Sequence, residues 1–389
     1  MEKYAQRRRN CSLKEIYLDN SATTRTLKEA AEAAFFVMTE NYGNPSSLHK
    51  KGIEAEKTMT AARNSIAAAM GADPAGLYFT SGGTEANNLA VIGGAAAKKR
   101  RGNKVVVSAY EHDSIMKSAK YLEENGFCVE YVYPNGEGII TPEAVFAAVD
   151  EKTVLVSVML VNNEIGAINP IAKICSAAKR KKPDVVFHTD AVQAFCKMPF
   201  RADKLGVDMM TVTAHKIGGP KGVGALWIKK GARVVPRSLG GEQEKQIRPG
   251  TEAMPLIAAF GKAAEISFAA MPEFEHRMEE LEHRLFAGIE NEHGIVLNSK
   301  PNALPAIANI SVPGIRSEIM LHYLEERGIF VSSGSACAKG EKSHVLRAMG
   351  YPPERVDSAL RISFGRENTP EDVDELLSAI KSAMNELCR

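Results

Sequence analysis

The sequence predicts an α/β fold in which a mainly parallel seven-stranded sheet carries helices on both faces and is followed by a smaller α+β domain. Between residues 77 and 228, short β-rich runs alternate with helical patterns, as is typical of a parallel sheet covered by helices. Beyond about residue 260, a long helical pattern and then mixed strand and helix patterns replace the alternation. We therefore expect an N-terminal tail at 1–15, a large domain at 16–260 and a small domain at 261–389. Packing of the first ordered residues beside the small domain is the alternative.

Each predicted element follows from its local pattern. The β-rich runs that predict the seven strands are, in chain order, LYFT, KVVVS, CVEYVYP, VLVSVML, DVVFHTD, DMMTVTA and GALWI. Helical spacing predicts helices at 84–97, 112–124, 142–149 and 170–181, a long helical stretch at 255–290, a helix at 317–327 and a final helix from residue 370. In sheets of this kind ligands bind beyond the carboxyl ends of the strands, so the residues at those ends are candidates for function.

Composition argues against several classes of function. The chain has 389 residues, 44% of them hydrophobic, and its net charge of +2 gives no general electrostatic reason to bind nucleic acid or an acidic membrane. The basic run Arg7–Arg9 could contact RNA or phospholipid, but a solvated, frayed terminus is the favoured interpretation. No run reaches the ~18 apolar residues of a membrane helix, and a signal peptide is not evident, so a cytoplasmic location is expected. Six scattered cysteines, without C-x-x-C or H-E-x-x-H motifs, predict neither a disulfide framework nor a metal site.

The segment FTSGGTEANN, at 79–88, is a candidate anion-binding turn. It leaves a predicted strand through two glycines and enters a predicted helix at Thr84. Successive backbone N–H groups and a helix N-terminus form a nest for anions, so Gly83 and Thr84 are candidates for binding a phosphate. The motif is not a P-loop, and a simple tight turn is an equal alternative.

Two charged residues follow predicted buried strands and need partners. DVVFHTDAVQ contains Asp190, and TVTAHKIGGPKGVGAL contains Lys216. A buried charge is costly unless it is paired or neutralised, although Asp190 could cap a helix and Lys216 could point to solvent. Their spacing is about one strand-plus-crossover unit, which allows both to reach the same rim of the sheet. Pyridoxal 5′-phosphate (PLP) offers a phosphate to a helix N-terminus, a protonatable ring nitrogen to an aspartate and an aldehyde to a lysine.

Two further polar residues follow predicted strands. His112, in AYEHDSI, could stack on a cofactor ring and move a proton, but a lone histidine at a strand end is more often a surface or capping residue. Asn163, in VNNEIG, occupies the corresponding place on another strand, where its amide could bond the phenolic oxygen of the ring.

These residues lie in motifs that extend through nearly the whole chain. The motifs are YLDNSATT, YGNPSSLH, TSGGTEANN, EHDSI, NNEIG, HTDAVQ, TAHKIGGPKGVGAL, RPGTE, SSGSAC and LRISFGR. Together they resemble the cysteine desulfurases of the NifS/IscS kind, within the class V aminotransferase group of fold type I PLP enzymes. The resemblance implies that fold, and it implies PLP-dependent removal of sulfur from L-cysteine as the activity.

The resemblance also implies roles for individual residues. Lys216 would bond the cofactor aldehyde, Asp190 would partner the ring nitrogen, and His112 would stack on the ring and, with Lys216, move protons. The remaining implied cofactor contacts are Gly83, Thr84, Thr213 and His215 for the phosphate, Gln193 and Asn163 for the phenolic oxygen, and Thr251 of a neighbouring subunit for the phosphate. A homodimer with shared active sites follows from the last contact.

Substrate binding is implied for Arg361, Asn20 and Asn163. The planar guanidinium fork of Arg361 suits the substrate carboxylate, although without the resemblance a solvent-facing arginine would be the favoured interpretation.

Cys337, in the small and polar segment GSACAKGEK, is the implied nucleophile that selects the reaction. It would receive the substrate sulfur as a persulfide while L-alanine is released. Cys128, Cys175 and Cys196 lie in apolar-patterned segments and are expected to be buried and inert. Cys11 and Cys388 lie near the chain ends.

The implied partners are L-cysteine and a sulfur-acceptor protein, either an iron–sulfur assembly scaffold or a tRNA-thiolation enzyme. The nearest alternatives use the same scaffold as a selenocysteine lyase or as a class V aminotransferase that does not use Cys337. A non-catalytic sulfur-transfer scaffold is disfavoured because the residues implied for chemistry are all present. These residues are Lys216, Asp190, His112, Arg361 and Cys337.

Overall fold

The computed structural model describes residues 14–290, 292–334 and 342–387, which form two compact units. The larger unit comprises Thr23–Asn163 and Ala167–Glu273, and the smaller comprises 14–22, Glu164–Gly166 and 274–387. This division differs from the expected boundary at residue 260 and from the placement of residues 16–22 in the large domain. The physical reasons are that the helix Met254–Ala269 packs on helices of the larger unit, whereas Ile16–Tyr17 pairs with a strand of the smaller unit.

The elements of the described residues are numbered here in chain order. The strands are β1 (Ile16–Tyr17), β2 (Leu77–Thr80), β3 (Lys104–Ser108), β4 (Cys128–Val132), β5 (Thr153–Ser157), β6 (Val186–Asp190), β7 (Met209–Thr213), β8 (Gly224–Ile228), β9 (Val296–Leu297), β10 (Ile307–Ser311), β11 (Ile329–Phe330) and β12 (Ala359–Ser363). The α-helices are α1 (Lys28–Thr39), α2 (Lys50–Met70), α3 (Gly83–Asn88), α4 (Gly94–Ala97), α5 (Asp113–Glu124), α6 (Pro142–Ala148), α7 (Ile171–Lys181), α8 (Ala202–Leu205), α9 (Met254–Ala269), α10 (Met271–Ile289), α11 (Ser317–Glu325), α12 (His344–Ala348), α13 (Pro353–Asp357) and α14 (Pro370–Leu387).

The larger unit contains one seven-stranded sheet, in the order β2-β8-β7-β6-β5-β3-β4. The strands β4, β3, β5, β6 and β7 run parallel, whereas β8 is antiparallel to both of its neighbours, β2 and β7. Every residue of β5, β6 and β7 is buried, as expected of strands covered on both faces. The predicted mainly parallel α/β fold is therefore confirmed.

Apolar side chains from neighbouring strands and helices form the core of the larger unit. Val105 and Val107 of β3, Leu155 of β5 and Met209 of β7 belong to one buried cluster with Ile115 of α5. Full burial of an aliphatic side chain of this size contributes about 1.5–3 kcal/mol. The cluster fixes the strands relative to one another, and with them the residues that follow each strand.

Two of the predicted helical stretches are interrupted. The stretch 255–290 forms two helices, α9 and α10, because Pro272 lies in the first turn of α10 and lacks the N–H that a continuous helix requires. The predicted helix at 84–97 contains a π-helical turn, Leu89–Gly93, between α3 and α4. In the part of the chain that the structure describes, no single helix is long and apolar enough to cross a membrane, and only α9 with α10, as a bent pair, meets the length and composition criteria.

The smaller unit contains an antiparallel sheet with β10 between β9 and β12, and a parallel pair of β1 with β11. Two backbone hydrogen bonds join Arg361 of β12 to Ser332, since the Ser332 N–H donates to Arg361 O at 3.1 Å and the Arg361 N–H donates to Ser332 O at 2.6 Å. Ser332 begins the SSGSAC motif. The start of the motif that carries the implied nucleophile is therefore fixed to the strand of the implied substrate-binding arginine.

The structure corrects one prediction about the cysteines. Cys128 is exposed rather than buried, because it opens β4 and β4 is an edge strand of the sheet. Cys175 and Cys196 are buried, and burial raises the pKa of the Cys175 thiol to about 11. Cys11, Cys337 and Cys388 lie outside the described residues.

Candidate active site

Four of the predicted site residues lie at or beyond the ends of four neighbouring strands of the large sheet. The strands β3, β5, β6 and β7 are adjacent and run in the same direction. His112 follows β3, Asn163 follows β5, Asp190 ends β6, and Lys216 follows β7. Because parallel strands end at one edge of a sheet, the fold brings all four residues to the carboxyl edge.

The carboxylate of Asp190 is held in a fixed orientation and is only 5% exposed. Its Oδ1 accepts the backbone N–H of Val192 at 2.9 Å, and its Oδ2 accepts a hydrogen bond from Asn87 Nδ2 at 2.7 Å. Burial raises the pKa of Asp190 above its ordinary value. The two hydrogen bonds lower this pKa in part, and so do the electrostatic interactions with His112 and Lys216. Since burial outweighs these effects, a further cationic group beside Asp190 would stabilise its ionised form.

Lys216 ends a short 3₁₀ turn, Ala214–Lys216, that follows β7 directly. The next turn of chain requires glycine, because Gly218 has a φ of 81° and a Cβ there would meet Leu27 Cγ at 2.7 Å. Lys216 is partly buried, and its charge acts on the carboxylate of Asp190. The lysine and the acid therefore interact electrostatically at the same edge of the sheet.

His112 caps the N-terminus of α5. Its Nδ1 accepts the backbone N–H of Ser114 at 3.2 Å and lies 2.8 Å from Ser114 Oγ. With Nδ1 as an acceptor, the neutral imidazole carries its proton on Nε2. His112 thus has the capping role considered from the sequence and also acts electrostatically on Asp190. The cap orients the imidazole, as a ring-stacking residue requires.

The turn between β2 and α3 leaves open space beside Gly82, whereas Gly83 packs against neighbouring side chains. Gly82 has φ 152° and ψ −179°, a conformation that is nearly restricted to glycine, and a Cβ on it would have no heavy atom within 4 Å. Thr84 is exposed in the first turn of α3. A Cβ on Gly83 would lie 3.9 Å from the Cβ of Thr213, so the end of β7 packs against the same turn. The turn is therefore open on the side where a Cβ of Gly82 would lie.

Thr213 and His215 lie at and just beyond the end of β7. Thr213 is buried and donates its hydroxyl to Val223 O at 3.2 Å. The His215 Nδ1 lies 3.4 Å from Thr23 Oγ1. Burial, followed by the charge of Lys216 and of other nearby cations, lowers the pKa of His215 to about 3. The ring is therefore neutral at physiological pH, and it would serve an anion as a hydrogen-bond donor rather than as a cation.

Gln193 and Asn163 are both buried. The Oε1 of Gln193 accepts a hydrogen bond from the Nζ of Lys197 at 3.2 Å, and Lys197 is itself only 5% exposed. This bond orients the amide so that its N–H groups face away from Lys197. The sequence reasoning did not select Lys197, although a lysine shortly after an apolar run gave the same signal that identified Lys216.

Asn87 is a second site residue that the sequence reasoning did not select. It is 1% exposed, and its Nδ2 donates to Ser114 Oγ at 2.9 Å as well as to Asp190. Asn87 thereby connects α3 and α5 with the end of β6. The signal in the sequence was an amide next to Ala86, in a helix predicted to pack on the sheet. An amide buried in this way requires hydrogen-bond partners, which makes it a candidate for holding a neighbouring polar residue.

Glu111 is a third such residue and is fully buried next to His112 in sequence. Its Oε1 accepts hydrogen bonds from the Ser108 hydroxyl and, at 2.7 Å, from the backbone N–H of Met159. Burial, with a smaller contribution from the charge of Asp190, raises the pKa of Glu111 to about 8. Glu111 therefore joins the ends of β3 and β5 as a carboxyl group that is largely protonated at neutral pH.

Within the smaller unit, Arg361 is 2% exposed, which excludes a solvent-facing role. Its Nη2 donates to the Oδ1 of Asp19 at 2.8 Å. The Nδ2 of Asn20 donates to Ser363 O at 3.0 Å and to Asn368 Oδ1 at 3.3 Å. Asn20 thus supports the end of β12, and its binding of substrate stays a prediction.

The two remaining predicted site residues are Thr251 and Cys337. Thr251 is exposed on the larger unit, directly after Gly250. Cys337 is outside the described residues.

The residues at the carboxyl edge of the large sheet fit PLP. The carboxylate of Asp190 is buried, so a cationic ring nitrogen beside it would stabilise its ionised form. Lys216 supplies an amine within electrostatic reach of Asp190. The open space beside Gly82 suits a phosphate.

A mainly parallel sheet with an acid and a lysine at its carboxyl edge defines the class of fold type I PLP enzymes. The chain belongs to the class-V aminotransferase family, whose model matches residues 16–376. A cysteine desulfurase IscS of Methanosarcina thermophila is 40% identical over 96% of this chain and 93% of that protein. Among solved structures, a NifS-like protein is 36% identical with a TM-score of 0.91, covering 96% of this chain and 100% of that one. The structure of SspA in complex with cysteine is 33% identical with a TM-score of 0.79, covering 90% and 98%.

Proposed function

We propose that this chain is a PLP-dependent cysteine desulfurase, which transfers the sulfur of L-cysteine to Cys337 and releases L-alanine. The observation that carries the proposal is the convergence of Lys216, Asp190 and His112 at the carboxyl edge of one sheet. The similar proteins support the choice of reaction, since they include a cysteine desulfurase and a structure with bound cysteine.

The cofactor would be held by residues of the larger unit. Lys216 would bond its aldehyde, Asp190 its ring nitrogen, and His112 would stack on its ring. The other contacts would be Gly83, Thr84, Thr213 and His215 to the phosphate, Gln193 and Asn163 to the phenolic oxygen, and Thr251 of a second copy to the phosphate. When bound, PLP supplies an electron sink for the carbon that carries the substrate amino group.

Residues of the chain would bind the substrate and move its protons. Arg361 would bind the substrate carboxylate through its guanidinium fork, oriented by Asp19. Once the substrate amino group has taken its place at the aldehyde, the freed Nζ of Lys216 would take the proton from the substrate α-carbon. His112, with its proton on Nε2, would move protons together with Lys216. The buried carboxylate of Asp190 would remain ionised because it has a cationic partner.

Sulfur transfer would occur at Cys337. Its Sγ, as a thiolate, would bond to the substrate sulfur while the bond between that sulfur and the substrate β-carbon breaks. The electron pair of the broken bond would stay with the carbon fragment, which takes up protons and leaves as L-alanine. Cys337 would end as a persulfide, ready for an acceptor protein such as an iron–sulfur scaffold or a tRNA-thiolation enzyme in the cytoplasm.

The proposal includes a homodimer with shared active sites. Five large apolar side chains are each more than half exposed along and just after α1, namely Phe35, Phe36, Met38, Tyr42 and Leu48. A cluster of this kind supports an interaction surface, and a second copy of the chain is the proposed occupant. The exposure of Thr251 supports its contribution to the site of a neighbouring subunit.

Formation of alanine from cysteine tests the proposal. Cys337→Ala is expected to keep its covalently attached cofactor and to form no alanine. Cys128→Ser, which changes an exposed cysteine on the edge strand β4, is the matched control and is expected to stay active. Lys216→Ala is expected to lose covalent attachment, as checked by borohydride reduction and mass spectrometry.

Three results would contradict the proposal. Sustained alanine formation by Cys337→Ala would remove that residue from the reaction. A strict requirement for an added 2-oxo acid would identify an aminotransferase, and turnover restricted to selenocysteine would identify a selenocysteine lyase.

A further inference from the structure

The segment 242–250, EQEKQIRPG, precedes Thr251 and contains a strained turn. Glu244, Lys245 and Gln246 have φ angles of 46°, 54° and 65°. Left-handed backbone is unfavourable for non-glycine residues, and it occurs mostly at single positions rather than in runs. Three such residues in succession persist only when the surrounding structure holds them in place.

A buried ion pair holds the strained turn from one side. The side chain of Glu244 is 2% exposed, and its two oxygens accept hydrogen bonds from the guanidinium of Arg63 at 2.6 and 3.0 Å. The same carboxylate accepts the backbone N–H of Phe79 at 2.8 Å, and Arg63 also donates to Leu77 O. The turn is thereby tied to α2 and to β2.

A second ion pair holds the other end of the segment. The Nε of Arg248 donates to Glu85 Oε1 at 3.0 Å, and Glu85 Oε2 accepts the backbone N–H of Ser81 at 2.6 Å. Burial acts to raise the pKa of Glu85, but the hydrogen bonds from Arg248 and Ser81 outweigh it and lower this pKa. Glu85 therefore connects the turn proposed to bind phosphate in its own chain with the segment that leads to Thr251.

We infer that Glu244 and Glu85 are positioning residues, which through Arg63 and Arg248 hold the 242–250 segment so that Thr251 is presented to the phosphate bound by a second copy of the chain. The inference rests on the proposed function, in which Thr251 completes the site of a neighbouring subunit. Pro249 restricts the backbone between Arg248 and Gly250, so displacement of Arg248 is transmitted toward Thr251.

Heterodimers with differently tagged subunits test whether Glu244 acts across the subunit boundary. In the first heterodimer, one subunit carries Glu244→Gln and Lys216→Ala, and the other is unchanged. The unchanged subunit then forms the only covalent cofactor site, and its Thr251 contact comes from the altered subunit. The rate at which the cofactor is lost to a scavenging amine is followed by absorbance. It is expected to be about tenfold faster than in a heterodimer that carries Lys216→Ala alone, which is the effect of weakening one hydrogen bond to a charged group.

The reciprocal heterodimer separates presentation of Thr251 from local damage. Here Glu244→Gln lies in the subunit that keeps Lys216, and Lys216→Ala lies in the other. Thr251 then comes from a native turn, so cofactor loss is expected to match that of the heterodimer with Lys216→Ala alone. Equal acceleration of cofactor loss in both arrangements, or no acceleration in either, would overturn the inference. The Lys216→Ala heterodimer tests the proposed function separately, because no cofactor retention there would contradict that function alone.

A control variant and a second measurement test the role of Glu244 without an activity assay. Glu242→Gln makes the same change of charge at an exposed position of the segment and is expected to leave cofactor loss unchanged. Amide hydrogen exchange across 243–250 is expected to be at least about tenfold faster in Glu244→Gln than in Glu242→Gln, because the strained turn is released. Equal exchange rates in the two variants would refute the conclusion that Glu244 holds the strained turn. If Glu244→Gln does not fold, Arg63→Lys keeps the charge but removes the fork that grips both oxygens, and the same outcomes apply.

Discussion

Replacing Glu111 by glutamine is expected to remove a pH dependence from the free energy of unfolding. Burial raises the pKa of Glu111 from 4.5 to about 8. An acid whose pKa is raised on folding binds more protons in the folded state, so stability falls as the pH rises between the two pKa values. The loss is at most about 1.4 kcal/mol per pH unit, which over this window amounts to about 4–5 kcal/mol as an upper limit. Glutamine has nearly the same volume, does not ionise, and can still accept the N–H of Met159.

Urea unfolding of the cofactor-free protein measures this effect from about pH 5 to about pH 9. The stability of Glu111→Gln relative to the unchanged protein is expected to increase by several kcal/mol toward about pH 8 and to level off above it. Glu124→Gln, which makes the same change of side chain at an exposed position of α5, is the matched control. A constant difference for Glu111→Gln, or one that decreases as the pH rises, would refute the assignment of a buried, protonated carboxyl group.

Two further substitutions test the geometry of the cofactor site. Asn87→Leu removes a 2.7 Å hydrogen bond to the ionised form of Asp190, so the pKa of Asp190 is expected to rise and cofactor retention to weaken about tenfold, whereas Asn88→Leu is expected to have little effect. Equal retention in the two variants would contradict the role of Asn87. Gly82→Ala is expected to lower the free energy of unfolding by about 1–3 kcal/mol through backbone strain alone, because its Cβ would meet open space. Gly136→Ala, in equally open space without a positive φ, is the control, and an equal effect of both changes would show that strain at Gly82 is unimportant.

The large sheet and its functional edge could be predicted because both depend on local patterns. The strands β5, β6 and β7 are buried on both faces, so each appears in the sequence as an almost continuous apolar run. Asp190 and Lys216 stand out for the same reason, since a charge beside a buried run requires a partner. Arg361 offered no such signal, because a single arginine within a short strand pattern is compatible with a solvent-facing position. Its burial depends on Asp19, which is distant in sequence.

Features that depend on the neighbours of an element could not be predicted from its own sequence. Cys128 has apolar neighbours along the chain but is exposed, because the pattern of β4 does not reveal that the strand lies at an edge. Pro272 is a local signal for the end of a helix, but a helix break does not by itself reveal that the larger unit ends at Glu273. The pair of Arg63 with Glu244 is of the same kind, since two charged residues in separate polar segments give no indication that one of them is buried.

Two motifs place a glutamate directly beside a residue chosen for its chemistry, and these glutamates explain how the chosen residues are held. Each glutamate bonds a segment distant in the chain: the partners are Arg248 for Glu85 and the Met159 N–H for Glu111. A carboxylate accepts several hydrogen bonds at once, so one side chain can tie its own turn to a second segment. A functional residue after a strand lies on a turn, and a turn has few backbone hydrogen bonds to fix its position. An adjacent acid supplies that restraint, from a buried position for Glu111 and from a partly exposed one for Glu85. In these motifs, binding the ligand and fixing the turn are therefore the roles of two different polar residues. The chemical type of a residue in the sequence does not show which of the two roles it has.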